Sequence, residues 1–148
     1  MAEAPMRVLV VDDEAPARRR LRDLLDDCGA ALPLTVVGEA QHGREALDLL
    51  QSAPADLVLT DIHMPDMDGI EAARRIRALY PDAARPAEGR PPIVALTANA
   101  FADDRAAYLE AGLDDYLAKP FEKADLAALL ARWKRPAVAK TPSGRGAA

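Results

Sequence analysis

Five short aliphatic runs alternate along this chain with five segments of helical period, and that alternation limits the fold more than any other feature. The runs are Met6 to Val11, Leu34 to Gly38, Leu57 to Thr60, Pro92 to Thr97 and Leu113 to Leu117. Each has the length and apolar continuity of a buried strand. Behind the first, Pro16 suits the first turn of a helix, and Leu21, Leu24, Leu25 and Cys28 fall at i, i+3, i+4 and i+7. The second helical segment, Gly43 to Ser52, carries Ala46, Leu47 and Leu50 and closes at Pro54. Asp68 is a good N-cap for the third, with Glu71 three residues on and Ala72, Ala73, Ile76 and Leu79 marking its apolar face. Phe101 to Ala111, stopped by Gly112, is the fourth, and Leu126, Leu129, Leu130 and Trp133 mark the fifth. Strands alternating with helices imply an α/β fold: (βα)5, a doubly wound five-stranded parallel sheet with right-handed crossovers. Asp114-Asp115 interrupts the fifth run and predicts an edge strand there.

The length, 148 residues, suits one domain. We expect it over residues 1–134. Residues 135–148 lack periodicity and contain Pro136, Pro142, Gly144 and Gly146, which predicts a disordered tail. Pro81 to Pro92 reads as a long exposed connector. Aromatic residues make up only 4%, so the core has to be aliphatic. A net charge of −5 argues against general affinity for nucleic acid or an anionic membrane surface. No apolar run approaches the roughly 18 residues that span a bilayer. Met1-Ala2-Glu3-Ala4-Pro5 lacks the basic and apolar regions of a signal peptide. The single cysteine, Cys28, rules out an internal disulfide and sits on a helical apolar face, so it reads as core packing in a cytoplasmic protein.

Chemistry concentrates where the runs stop. A parallel sheet gathers the carboxyl ends of its strands on one edge, where open α/β folds place their sites. That edge collects Asp12, Asp13 and Glu14 after the first run, Asp61 after the third, Thr97 at the end of the fourth and Lys119 just past the fifth. Asp61 alone would also serve as a turn residue at a strand end. Together, carboxylates this close repel one another and call for a cation. Hard oxygen ligands favour Mg²⁺, completed by water and phosphate oxygens. A hydroxyl and an ammonium beside it suit a phosphoryl group, and Asp61 is a candidate nucleophile for an aspartyl phosphate. Arg18, Arg19, Arg20 and Arg22 crowd one helix and read either as a solvated face or as an anion site. His42, before Gly43, reads as a surface loop residue. Neither His42 nor His63 sits in a kinase phosphorylation motif, and no Gly-rich phosphate loop is present, so the chain is expected to receive phosphate rather than take it from ATP.

Four segments carry a family resemblance: Val10-Val11-Asp12-Asp13-Glu14, Asp61-Ile62-His63-Met64-Pro65-Asp66-Met67-Asp68-Gly69, Ala95-Leu96-Thr97-Ala98-Asn99-Ala100 and Asp115-Tyr116-Leu117-Ala118-Lys119-Pro120-Phe121. In this order and spacing, from about Met6 to Trp133, they resemble the receiver domain of two-component response regulators. The fourth-run wording is most like the receivers of hybrid histidine kinases. The resemblance implies the flavodoxin-like strand order 2-1-3-4-5 and a set of roles. Asp61 is the phosphoacceptor, served by a phosphohistidine on a histidine kinase or histidine phosphotransfer protein. Asp13 binds Mg²⁺ directly, Asp12 contributes through water, Asp61 is a ligand, and His63 ligates through its backbone carbonyl. Thr97 donates its hydroxyl to the phosphoryl group, Lys119 pairs with it, and Tyr116 is the aromatic switch that follows Thr97. The Lys119-Pro120 bond is expected to be cis. The fourth helix, fifth strand and fifth helix form the face that signals to a downstream effector. His63 and Asn99 flank the site and bear on phosphate lifetime. Such a chain is a phosphoacceptor with no separate substrate turnover, either a single-domain regulator or a receiver from a larger signalling protein. The alternatives are a pseudo-receiver interaction module, against which the retained acidic, hydroxyl and lysine residues count, and a Mg²⁺-dependent aspartyl-phosphate phosphatase. The phosphatase would place an acid two residues after the nucleophile, where this chain has His63.

Overall fold

The computed structural model describes residues 5–29, 32–52, 55–62, 69–79, 91–97 and 102–133. The expectations for the Asp68 cap, His63, Asn99, the connector over residues 81–90 and the tail lie outside the described residues. The strands are β1 (Met6–Val11), β2 (Leu34–Ala40), β3 (Leu57–Asp61), β4 (Ile93–Thr97) and β5 (Asp115–Ala118). The helices are α1 (Ala15–Cys28), α2 (Gly43–Ser52), α3 (Gly69–Ala78), α4 (Ala102–Ala111) and α5 (Lys123–Trp133), each following the strand of the same number. All strand pairs are parallel, in the order β2-β1-β3-β4-β5. This is the flavodoxin-like order.

Strand alternation divides the core into two layers. Val8 and Val10, Leu57 and Leu59, and Val94 and Leu96 point to one face, where Leu21, Leu25 and Cys28 of α1 and Leu126, Leu129 and Leu130 of α5 cover them. Leu9 and Val11, Val58, and Ile93 and Ala95 point to the other, under Ala46 and Leu50 of α2, Ala73 and Ile76 of α3 and Tyr108 of α4. Because β1, β3 and β4 are buried on both sides, they read as unbroken apolar runs rather than as alternating ones.

Two strand boundaries differ from expectation by more than one residue. β2 continues past Gly38 to Ala40, pairing Val10 with Glu39 and Val11 with Ala40 after a register shift at Val8/Leu9. Gly38 is not a stop. A Cβ there would lie 3.2 Å from Leu49 and 3.3 Å from Leu9, so the glycine lets α2 pack closely on the strand. β5 begins at Asp115, two residues later than its apolar start suggests. Leu113 is buried ahead of the strand, and its N–H donates to the Tyr108 carbonyl at the end of α4. The Asp114 carboxylate accepts from the Ile93 N–H at 2.8 Å, which fixes where β5 joins β4. Gly112, at φ 111°, ends α4 in a conformation that side-chain-bearing residues rarely adopt. The Lys119-Pro120 peptide is cis, as the resemblance implied.

Candidate functional site

The central pairing of β1 with β3 sets the site. Val11 pairs with Thr60, so the next residues, Asp12 and Asp61, lie side by side at the carboxyl edge. Both are buried, at 3% and 9% exposure, while Asp13 is exposed. Carboxylate oxygens of Asp12, Asp13 and Asp61 all lie within 4.8 Å of one another. The Asp12 carboxylate accepts from the Glu14 N–H at 2.9 Å, and its own N–H donates to the Ala40 carbonyl. These bonds hold the first acidic residue against the sheet end.

Lys119 follows β5 and reaches back across the edge. Its Nζ donates to Asp61 Oδ1 at 3.1 Å and lies 3.7 Å from Asp12 Oδ2. Its backbone N–H donates to the Thr97 carbonyl, so the lysine and the end of β4 are tied together. Thr97 is fully buried, and its Oγ1 lies 3.1 Å from the Tyr108 hydroxyl. Tyr116 pairs with Ala95 in the sheet and packs, half-buried, against the layer that contains Tyr108. Gly69 closes the other side: its N–H donates to the Ile62 carbonyl at 2.9 Å. A Cβ on Gly69 would collide with the Asp61 carbonyl oxygen and come within 2.9 Å of Ile62 Cα. Only glycine lets α3 start this close to the acidic residue.

Electrostatics make the site cation-hungry. Burial pushes the Asp12 carboxyl above its usual range. The Glu14 N–H opposes that, and the Asp61 charge adds to it. Two carboxylates at 4.8 Å repel by ~3.5 kcal/mol at an effective dielectric near 20. Lys119 supplies one positive charge against three negative ones. A small hard cation would offset the remainder, and three converging carboxylates are a suitable donor set for one.

The response regulator receiver domain model matches residues 8–131. The chain belongs to the response regulator receiver family. It is 40% identical over 144 residues to the response regulator MprA of Mycolicibacterium vanbaalenii, covering 97% of this chain and 57% of that protein. It is also 40% identical over 128 residues to the sensor histidine kinase GacS of Pseudomonas protegens, covering 86% of this chain but 13% of the kinase. The chain thus spans about half or less of these relatives. Among solved structures, the receiver domain of a sensor histidine kinase from Pseudomonas aeruginosa superposes with a TM-score of 0.71 at 35% identity. That match covers 88% of this chain and 98% of the other, and the other structure holds a magnesium ion coordinated in its active-site cleft. In this chain the carboxylates of Asp12, Asp13 and Asp61 converge in a donor set that fits such an ion.

Five of the residues singled out from the sequence therefore meet at one edge: Asp12, Asp13, Asp61, Thr97 and Lys119. Tyr116 lies one strand away, and His63 is outside the described residues. Three arginines of the α1 cluster are engaged within the protein. Arg18 donates to the Asp12 carbonyl at 2.7 Å and pairs with Glu39, Arg22 pairs with Glu39, and Arg20 donates to the Phe121 carbonyl. Tyr108 escaped the sequence reading, and the close approach at Gly69 was not visible in it. Tyr108 looks like ordinary core spacing in α4, and Gly69 looks like part of a turn.

Proposed function

We propose that Asp61 accepts a phosphoryl group from a phosphohistidine on a histidine kinase or histidine phosphotransfer protein. The observation that carries this reading is the Asp61 carboxylate itself: buried at the end of the central strand, 3.1 Å from the Lys119 ammonium, with Asp12 and Asp13 within 4.8 Å. An Asp61 oxygen attacks phosphorus, the bond from phosphorus to the imidazole nitrogen breaks, and that nitrogen leaves with the electron pair and takes a proton. Bound Mg²⁺ would offset charge on the phosphoryl oxygens and on the acidic residues that hold it. Asp13, Asp61 and the His63 carbonyl would hold it directly, and Asp12 through water. Lys119 pairs with the transferred group. Thr97 turns its hydroxyl to it, and Tyr116 follows Thr97 inward. A cleft of about 480 Å³ opens beside the site between Arg20 and Leu21 of α1 and Pro120 and Phe121 after β5, with Asp12 and Lys119 in its wall. It gives a donor residue a route to the edge.

Output runs through the α4-β5-α5 face to an effector protein. No helix among the described residues is long and apolar enough to cross a membrane. We place the receiver unit in residues 1–134, acting in the cytoplasm without substrate turnover of its own. The test is intact mass after treatment with a small acyl phosphate, with and without Mg²⁺. A single Mg²⁺-dependent phosphoryl adduct, absent from Asp61→Asn, is the expected result. No adduct on the wild type would favour a pseudo-receiver, and an adduct on Asp61→Asn would move the acceptor to another carboxylate.

A further inference from the structure

Tyr108 is a buried tyrosine whose hydroxyl meets the one hydroxyl that phosphoryl acceptance needs. The residue is 6% exposed and packs in the layer with Ile93, Ala95 and Ile76. Its OH lies 3.1 Å from Thr97 Oγ1. Thr97 continues the Ile93 and Ala95 face of β4, toward α4, whereas Asp61 continues the Leu57 and Leu59 face of β3. We propose that Tyr108 is a positioning residue that latches Thr97 in the resting state, so that phosphoryl acceptance at Asp61 has to break the Thr97–Tyr108 hydrogen bond. This rests on the roles of Asp61 and Thr97 proposed above.

Either hydroxyl can be the donor. A threonine hydroxyl has one proton. If Thr97 donates to Tyr108, that proton is withdrawn from the phosphoryl group. If Tyr108 donates, Oγ1 is still held at hydrogen-bond distance from a ring wedged in a close-packed layer, which cannot follow Thr97 toward the sheet edge. Either way the bond belongs to the resting state alone, and its loss opposes activation. Tyr108→Phe keeps the ring and removes the hydroxyl, so the resting state loses the bond to Thr97.

Beryllofluoride, formed from beryllium and fluoride in the presence of Mg²⁺, is the probe, because it mimics the phosphoryl group on a carboxylate without a donor protein. Isothermal titration should give Tyr108→Phe about fivefold tighter beryllofluoride binding than the wild type, equivalent to ~1 kcal/mol and within the range for one neutral hydrogen bond. Mg²⁺ affinity measured alone should be the same in both proteins. In a Thr97→Ala background the same Tyr108→Phe change should give no gain. Unchanged or weaker binding in Tyr108→Phe would overturn the latch, the weaker result meaning that Tyr108 supports Thr97 in the activated state. An equal gain in the Thr97→Ala background would overturn it too, because the effect would then bypass Thr97. Failure of the wild type to bind beryllofluoride at all would remove the phosphoacceptor reading, and the latch with it.

Discussion

Replacing Asp61 by Asn should make the metal-free protein more stable, although it destroys the proposed acceptor. The substitution keeps the size of the side chain and removes one charge. At an effective dielectric near 20, Asp12, whose oxygens reach within 4.8 Å, repels Asp61 by ~3.5 kcal/mol. Asp13 is exposed, and in water-like screening the same separation is worth ~1 kcal/mol. Lys119, 3.1 Å away, attracts by ~5 kcal/mol, but its side chain is 32% exposed, and screening reduces that to ~3–4 kcal/mol. Attraction and repulsion thus nearly cancel. What remains is the cost of burying a carboxylate, which Asn avoids, less the charge-assisted bond to Lys119 that Asn weakens. A net gain of ~1–2 kcal/mol follows, or roughly 3–6 °C in Tm for a domain of this size. The assay is thermal unfolding by far-UV circular dichroism in a chelator and again in Mg²⁺. With the ion at about 100 times its dissociation constant, the wild type should gain ~2.7 kcal/mol, and the gap should close or reverse. A variant that melts at or below the wild type in chelator would refute the reasoning, because Lys119 would then more than balance the cluster.

Three further outcomes follow from particular contacts. Gly69→Ala should cost ~2 kcal/mol or more in urea unfolding, because the added Cβ meets the Asp61 carbonyl oxygen and Ile62 Cα and α3 has to back away from the site. Asp12 binds a proton more readily in the fold than in the unfolded chain, whose value is 3.8. Its contribution to metal-free stability is therefore present below that value and lost as pH rises through the raised folded one. Mg²⁺ displaces that proton, so Mg²⁺ affinity should fall as pH drops through the raised folded value; an affinity that stays flat on acidification, by titration calorimetry, would contradict it. Cys28 is buried, and burial pushes its thiol up, so a bulky thiol reagent should label it slowly in the native protein and quickly in denaturant.

Most of the fold is legible because its central strands are buried on both faces. Val8 to Val11, Leu57 to Leu59 and Ile93 to Leu96 need no partner information to be read as strands. The edge strands are less legible. β2 extends to Ala40 because β1 is there to pair with it, and β5 starts late because Asp114 bonds Ile93 from outside the ladder. The acidic residues and Lys119 were readable from their place just after strand ends. Tyr108 was not, because a tyrosine at helical spacing announces only burial. Its contact with Thr97 depends on how α4 folds back over β4, eleven residues away in sequence. Gly69 was hidden for a similar reason: its value lies in a backbone approach to Asp61 that no local pattern encodes.

The same alternation that builds the core also separates charge from response. Asp61 sits on the parity of Leu57 and Leu59, whose layer is closed by α1 and α5. Thr97, Tyr108 and Tyr116 belong to the opposite layer, closed by α2, α3 and α4. A phosphoryl group on Asp61 can reach that layer only around the end of β4, where the Thr97 carbonyl and hydroxyl are bonded to Lys119 and Tyr108 respectively. Lys119 touches Asp61 and Asp12 with its side chain and Thr97 with its backbone, so movement of the lysine toward a new anion acts on both sides of the edge. It follows that substitutions in the Tyr108 and Tyr116 layer should change how strongly phosphorylation is coupled to the α4-β5-α5 face while leaving Mg²⁺ affinity alone. Substitutions of Asp12 or Asp13 should do the reverse, lowering Mg²⁺ affinity first. A variant in the tyrosine layer that weakened Mg²⁺ binding as much as an aspartate variant would mean that the two layers are not separable, and that the strand ends move as one piece.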